Sequence, residues 1–226
     1  MRQIFRQELQ QVGDDLVLMA EHVASAIDKA TTALKTADIT LAEQVIDADR
    51  RIDELEHHLD DQCVSLLARQ APVATDLRVV VSALRLSATI ERMGDLARHV
   101  AYVARGRYPE QALNGDIREV IEQMGDAATQ VGARVVDLLR SHDLSLAGQI
   151  EADDEILDDL HRRTFPLILD DAQEATRQQV VDSVLLGRYL ERFGDHGVSV
   201  SRRVVYLVTG DMEAAAKTSI DEHAAH

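Results

Sequence analysis

Residues 76–100 recur in outline at 176–200, an offset of 100. Val80 matches Val180, Val81 matches Val181, Leu86 matches Leu186 and Val100 matches Val200. Between them the run Glu91-Arg92-x-Gly94-Asp95 returns as Glu191-Arg192-x-Gly194-Asp195. Upstream, an offset of 105 aligns Asp49, Asp53 and Leu55 with Asp154, Asp158 and Leu160. A change of link length between two elements absorbs the difference between the offsets. A chain built this way folds as one unit repeated once. Two copies are too few for a solenoid, so the two units must pack on each other.

The repeated unit is helical. Only three prolines occur, Pro72, Pro109 and Pro166, and the first two fall between long helix-compatible segments. Pro166 kinks or ends a helix. Aromatic residues are 3% of the chain and Trp is absent, so the core is built from Leu, Val, Ile and Ala, which suits helix-on-helix packing. Six helices are predicted, over residues 3–36, 39–69, 74–106, 113–141, 144–170 and 174–209. Asp38, Thr75 and Asp143 are the expected N-caps, and Gly106 and Gly210 the expected stops. The fold class is all-α, with two tandem pseudo-symmetric three-helix bundles. The first repeat covers 1–108, the second 109–212, and 213–226 is expected to be a polar disordered tail containing His223 and His226.

Charge narrows the function. The formal net charge is −16, which repels a phosphate backbone and argues against direct nucleic-acid binding. The same charge attracts cations and basic protein surfaces. One cysteine, Cys63, excludes an internal disulfide and fits a reducing compartment. No apolar run reaches the ~18 residues of a membrane span. The first residues, MRQIFRQELQQ, are amphipathic without a signal-peptide core. The expected location is the cytoplasm.

Residues four apart share a helix face. The duplication therefore yields four acidic pairs: Asp49/Asp53, Glu91/Asp95, Asp154/Asp158 and Glu191/Asp195. Like charges at that spacing repel by a few tenths of a kcal/mol. In the third helix Val79, Ala83, Leu86, Ile90, Met93, Ala97 and Val100 form the core stripe. Leu77, Val81, Leu84 and Ala88 form a second apolar stripe, which Glu91, Asp95 and His99 continue. In the sixth helix Leu186, Leu190, Phe193, Val200 and Leu207 face the core, and Val181, Val184, Glu191, Asp195 and Ser199 lie opposite.

Two readings of the acids stand side by side. Carboxylates at this spacing chelate or bridge hard cations, and pairs from neighbouring helices would hold a multinuclear site, with His99 or His196 as a nitrogen ligand. The plainer reading is a solvated face with local ion pairs, in which Asp95 reaches Arg98 and Arg188 reaches Glu191. Gly94 and Gly194 cost ~1 kcal/mol each inside a helix, which points to close helix approach or to room beside the carboxylates. Glu54-x-x-His57 and Asp158-x-x-His161 match a di-iron ligand element only at the level of chance, and Cys63 reads as core. No phosphate-cradling glycine loop or nucleophile triad is present.

Two longer runs carry a family resemblance. APVATDLRVVVSALRLSATIERMGDLARHV and RYLERFGDHGVSVSRRVVYLVTG resemble the two signatures of the PhoU family, phosphate-specific transport accessory and regulatory proteins, in an actinobacterial-like form. The resemblance extends from FRQELQQVGDDLVLMA to the VTG ending. It implies two pseudo-symmetric three-helix bundles of PhoU-like, spectrin-like type. It implies metal clusters on Glu91/Asp95 and Glu191/Asp195, completed by Asp49/Asp53 and Asp154/Asp158. The implied ions are iron or zinc, with manganese or magnesium as alternatives. Many members carry Asn four residues after the motif Asp; here His99 and Ser199 stand there, and His99 adds a ligand option that Ser199 lacks. Gly194 and Gly197 stand where Ala is common, which would loosen the second site.

The implied role is not enzymatic. Members are negative regulators of phosphate uptake and of the phosphate-starvation response. They act as cytoplasmic adaptors between the ATPase subunit of the phosphate ABC transporter and a sensor histidine kinase. Membrane contact comes only through those partners, nucleic acid is not among them, and a homodimer is expected. Two alternatives are a di-iron-type carboxylate-bundle oxidase and the same adaptor without metal. The oxidase needs two well-placed Glu-x-x-His elements, whereas the third and sixth helices carry Glu-x-x-Gly.

Overall fold

The computed structural model describes residues 2–170 and 175–211. Six helices make up the described residues: α1 (Arg2–Thr36), α2 (Ile39–Gln70), α3 (Ala74–Arg107), α4 (Gly115–Ser141), α5 (Ser145–Leu169) and α6 (Arg177–Thr209). The expected 213–226 tail, with His223 and His226, lies outside the described residues.

Most ends follow local chemistry visible in the sequence. Asp38 caps α2, accepting from the Thr40 and Leu41 amides at 2.8 and 3.1 Å. Gly210 closes α6 with φ +76°, and its amide donates to the Tyr206 carbonyl at 2.8 Å. Thr176 and Gln179 form a reciprocal capping box, which sets the start of α6 three residues later than periodicity alone places it. Other caps depart from expectation. Thr75 lies inside α3, whose N-cap is Val73 without a side-chain bond. Asp143 stands one residue before the α5 cap, where its Oδ1 accepts from the Ser145 amide at 3.0 Å. Gly106 is helical, because the break comes at Tyr108, held extended by the proline that follows it. Pro166 lies within α5, near its C-terminal end.

Helices α1–α3 pack against one another, and so do α4–α6. Among the described residues the halves meet through α1 with α4 and α3 with α6 alone. One layer therefore reads α2–α3–α6–α5, with α1 and α4 behind it. Among the described residues one main apolar core runs through both halves, with a small second cluster around Ala147 and Val205. On α3 the buried stripe is Ala83, Leu86, Ile90, Met93, Ala97 and Val100, with Val80 buried in place of Val79. The second α3 stripe is only half covered: Leu77 and Ala88 are exposed, and Val81 and Leu84 are partly buried. On α6 Leu186, Leu190, Phe193 and Val200 are buried, Leu207 is half-buried, and Val181 and Val184 are exposed.

The α3–α6 pairing is antiparallel along its length. Arg107 meets Asp182, His99 meets Tyr189, the Met93 side chain reaches Gly197, and Arg78 meets Tyr206. In that register the repeated glycines Gly94 and Gly194 come level with each other. The axis exchanging the two halves must pass beside them. The duplicated motif thus sits at the centre of the pairing, with one acidic pair on either side.

Candidate metal centres

In the first half α2 and α3 lie side by side and bring Asp49 and Asp53 to Glu91 and Asp95. Asp49 is buried, and Glu91 and Asp95 are half-buried. Burial first, and then the adjoining Asp95 charge, push the Glu91 carboxyl up to about 7; the Arg92 charge opposes them, and Asp53 adds to the rise. Burial likewise raises Asp49, against the pull of Arg98. Arg98 is the dominant cation. Its Nη2 donates to Asp95 Oδ1 at 2.5 Å, its Nη1 donates to Asp49 Oδ2, and its guanidinium lies 6.0 Å from the Tyr102 ring centre. The i,i+3 contact with Asp95 was legible in the sequence. The second contact, across to α2, was not.

In the second half α5 and α6 bring Asp154 and Asp158 to Glu191 and Asp195. Burial, then Asp158, Asp195 and Glu191 in that order, push the Asp154 carboxyl up to about 7. Glu191 is raised by burial and then by Asp195, although Arg188 donates to both its oxygens at 2.9 and 2.8 Å. Asp154 Oδ1 is buried and has no hydrogen-bond partner. His161 also borders this group, and its charge acts on Glu191. Its signal was its place three residues after Asp158, on the same face. The nearest counterpart of Arg98 in sequence is Val198, which is buried and cannot neutralise anything. Arg202, one turn on, reaches across to Glu151 on α5 at 3.5 Å, and its charge opposes the rise of Asp154.

The remaining candidates fall elsewhere. His99, expected as a nitrogen ligand, packs its ring 5.0 Å from Tyr189 and 6.2 Å from Tyr102. Aromatic contact, not carboxylate contact, defines its position, and its buried Nδ1 has no hydrogen-bond partner. His196 has a lowered pKa from burial, reinforced by Arg192. Cys63 is a core residue whose thiol burial pushes up to about 11, so it is no nucleophile at neutral pH.

Gly194 makes room beside a carboxylate, as its place in the motif suggested, but it and Gly197 do not loosen the second half. A Cβ on Gly194 would collide with Asp154 Oδ1 and stand 2.7 Å from Leu157 Cδ1, and one on Gly197 would collide with Val131. These glycines therefore tighten the second half, letting Asp154 lie directly against α6. At Gly94 a Cβ would meet only side-chain methyls, Ile52 Cδ1 at 3.0 Å, Ile52 Cγ2 at 3.3 Å and Val23 Cγ2 at 3.5 Å. Gly94→Ala is expected to be neutral or stabilising by up to ~1 kcal/mol, the gain in helix propensity. Gly194→Ala is expected to destabilise by about 1–2 kcal/mol net, because overpacking outweighs the same gain. Urea unfolding of the two variants checks the contrast.

The fit of these residues to an ion differs between the halves. Both offer clustered carboxylate oxygens, the donor set that hard and borderline cations take. Each cluster has one carboxyl raised to about 7, and the second also has an orphaned buried oxygen that a cation would relieve. The first already has Arg98 between its acids. Among the described residues, no three His, Cys, Asp or Glu side chains converge tightly enough to hold an ion as they stand.

Fold and site together define a class: a duplicated six-helix bundle with one carboxylate cluster per half. The PhoU domain family matches the chain twice, at residues 16–104 and 121–204. The chain belongs to the PhoU family. It is 40% identical over 210 residues to a Mycobacterium tuberculosis protein named phosphate-specific transport system accessory protein PhoU homolog 2, covering 93% of this chain and 99% of that one. A Mycobacterium leprae PhoU homolog 1 is 39% identical over 210 residues, covering 93% and 95%. The crystal structure of PhoU from Pseudomonas aeruginosa superposes with a TM-score of 0.84 at 30% identity, covering 92% of this chain and 100% of that one.

Proposed function

We propose that this protein is an accessory protein of phosphate-specific transport and a negative regulator of phosphate uptake and of the phosphate-starvation response. The observation that carries the reading is the paired acidic clusters on a duplicated PhoU bundle, joined to the names borne by relatives across nearly the whole chain. In this reading the protein is a cytoplasmic adaptor, not an enzyme. It docks on the ATPase subunit of the phosphate ABC transporter and on a sensor histidine kinase, and it works as a homodimer. The net charge of −16 favours basic docking surfaces and fast encounter with them. No helix among the described residues is long and apolar enough to cross a membrane, so membrane contact would come through those partners.

The residues that would hold an ion are Asp154, Asp158, Glu191 and Asp195 in the second half, and Asp49, Asp53, Glu91 and Asp95 in the first. A bound iron, zinc, manganese or magnesium ion would supply positive charge that neutralises these carboxylates and ties α5 to α6, or α2 to α3. The chain's own part is to hold the acids on paired helices. Gly194 admits Asp154 to the surface of α6, and Arg188 orients Glu191.

Deleting the gene tests the role. Alkaline phosphatase, a starvation product, is expected to appear in phosphate-rich medium and to disappear on complementation. Unchanged repression, in a strain where any second PhoU copy is also removed, would sink the proposal.

A further inference from the structure

The groove between α3 and α6 carries the opposite charge to the clusters beside it. We propose that this groove, on the side turned away from α1 and α4, is a docking surface for an acidic amphipathic helix of a partner protein. The surface stands whether or not the transport role above holds.

Arg78, Arg85 and Arg92 recur every seven residues on α3, close to two full turns, and so share one face of it. Arg203 and Tyr206 meet them from α6. The guanidinium carbons of Arg78 and Arg203 lie 5.9 and 5.6 Å from the centre of the same Tyr206 ring, which holds both cations in place. Burial, and then the Arg85 charge, pull the Arg203 guanidinium below its ordinary pKa, so two cations that repel each other face across the groove. Among the described residues none of Arg78, Arg85 and Arg203 pairs with a carboxylate, and the buried Arg78 Nε has no hydrogen-bond partner. A chain of net charge −16 has acids to spare, yet leaves these cations together and unpaired. An anion binding between them offsets the repulsion with charge-assisted bonds. Farther along, Arg92 is partly neutralised, contacting Glu91 and Asp95 at 3.6 and 3.4 Å.

The surroundings select the kind of anion. Arg85 is exposed, Arg78 and Arg203 are half-buried, and among the described helices α3 and α6 have no neighbour in common that could cover the groove. The strip is narrow: where it reaches the middle of the pairing, the two acidic clusters lie on either side. Those carboxylates and the net charge repel a broad polyanion such as duplex nucleic acid or an anionic bilayer. A single helix, about 10 Å wide, fits between them. Val81 and Ala88 lie three or four residues from the arginines on α3, with Leu77, which is 39% exposed, beyond them. The partner helix therefore presents apolar residues beside its acids. Arg78 to Arg92 spans about 21 Å, the length of ~14 helical residues.

A fluorescein-labelled peptide of about 14 residues, with Glu and Leu at helical spacing, is the probe. Its anisotropy is followed against the full-length protein at ~0.15 M ionic strength, where repulsion from distant acids is screened. The wild type is expected to bind, and Arg85→Gln/Arg203→Gln to bind about tenfold more weakly. Arg118→Gln/Arg140→Gln, the same charge change on α4, should match the wild type. The same peptide with Gln in place of Glu should bind no better than the weakened variant. Arg85→Gln/Arg203→Gln removes a repulsion, so its helicity and melting temperature should not fall, which separates lost binding from unfolding. No binding to the wild type, or equal affinity in Arg85→Gln/Arg203→Gln, would overturn the surface. Equal binding of the Gln peptide would overturn the role of charge. Tighter binding of inorganic polyphosphate or single-stranded oligo(dT), lost in the same variant, would overturn the protein partner.

Discussion

Arg107→Ala is expected to destabilise the fold by about 3–5 kcal/mol, the usual cost of stranding one member of a buried ion pair. Asp182, in the first turns of α6, is 2% exposed. Arg107, at the end of α3, holds it with Nε to Oδ2 at 2.5 Å and Nη2 to Oδ1 at 3.0 Å. Gln178 adds one bond at 3.1 Å, too little for a buried carboxylate left alone. For a chain of this size each kcal/mol moves the melting temperature by roughly 2–4 °C, so the fall should be near ten degrees. The double variant Arg107→Leu/Asp182→Leu should recover most of it, because an apolar pair avoids the desolvation penalty. A loss below about 1 kcal/mol in Arg107→Ala would show that water reaches Asp182 and that the pair is not a clasp. The contact matters because it fixes α3 on α6, and that pairing sets the two acidic clusters relative to each other.

The metal-free protein is expected to be more stable at about pH 6 than at about pH 8. Glu91 and Asp154 both have carboxyls raised to about 7 in the folded state. A raised carboxyl stabilises the fold in its protonated form. That contribution is complete below the ordinary carboxylate range and is lost as pH rises through about 7. Asp49 and Glu191 shift the same way. His22 and His196, whose pKa values burial lowers, act in the opposite sense, but only below their ordinary value of about 6.5. Allowing for solvent screening at these half-buried sites, the gain between pH 8 and pH 6 should be roughly 1–3 kcal/mol. Urea titrations in the presence of chelator measure it. A flat profile would mean that these acids behave as ordinary solvated residues. Bound metal would reverse the sign, since it holds the same acids ionised.

Six helices were legible because their signals are local: apolar residues at helical spacing, two proline breaks, Asp38 before α2 and Gly210 after α6. The missed ends, at Thr75 and Gly106, lay beside stronger determinants. An extended Val73 starts α3 and the proline after Tyr108 stops it. The acidic residues were legible as pairs because the duplication repeats them, and the i,i+3 partners Arg98 of Asp95 and Arg188 of Glu191 were legible for the same local reason.

Contacts between helices were not. Nothing along the chain says that Arg98 also reaches Asp49, that His99 turns to Tyr189, or that Asp154 presses against Gly194. Spacing reports which residues share a face, because 3.6 residues make a turn. It does not report which face of a neighbouring helix lies opposite, or how far away. The sequence by itself determined an all-helical, duplicated, strongly acidic protein with four carboxylate pairs. Only the packing of α3 against α6, and of each against its flanking helix, decided that those pairs become two clusters, one bridged by Arg98 and the other flanked by Arg188 and Arg202.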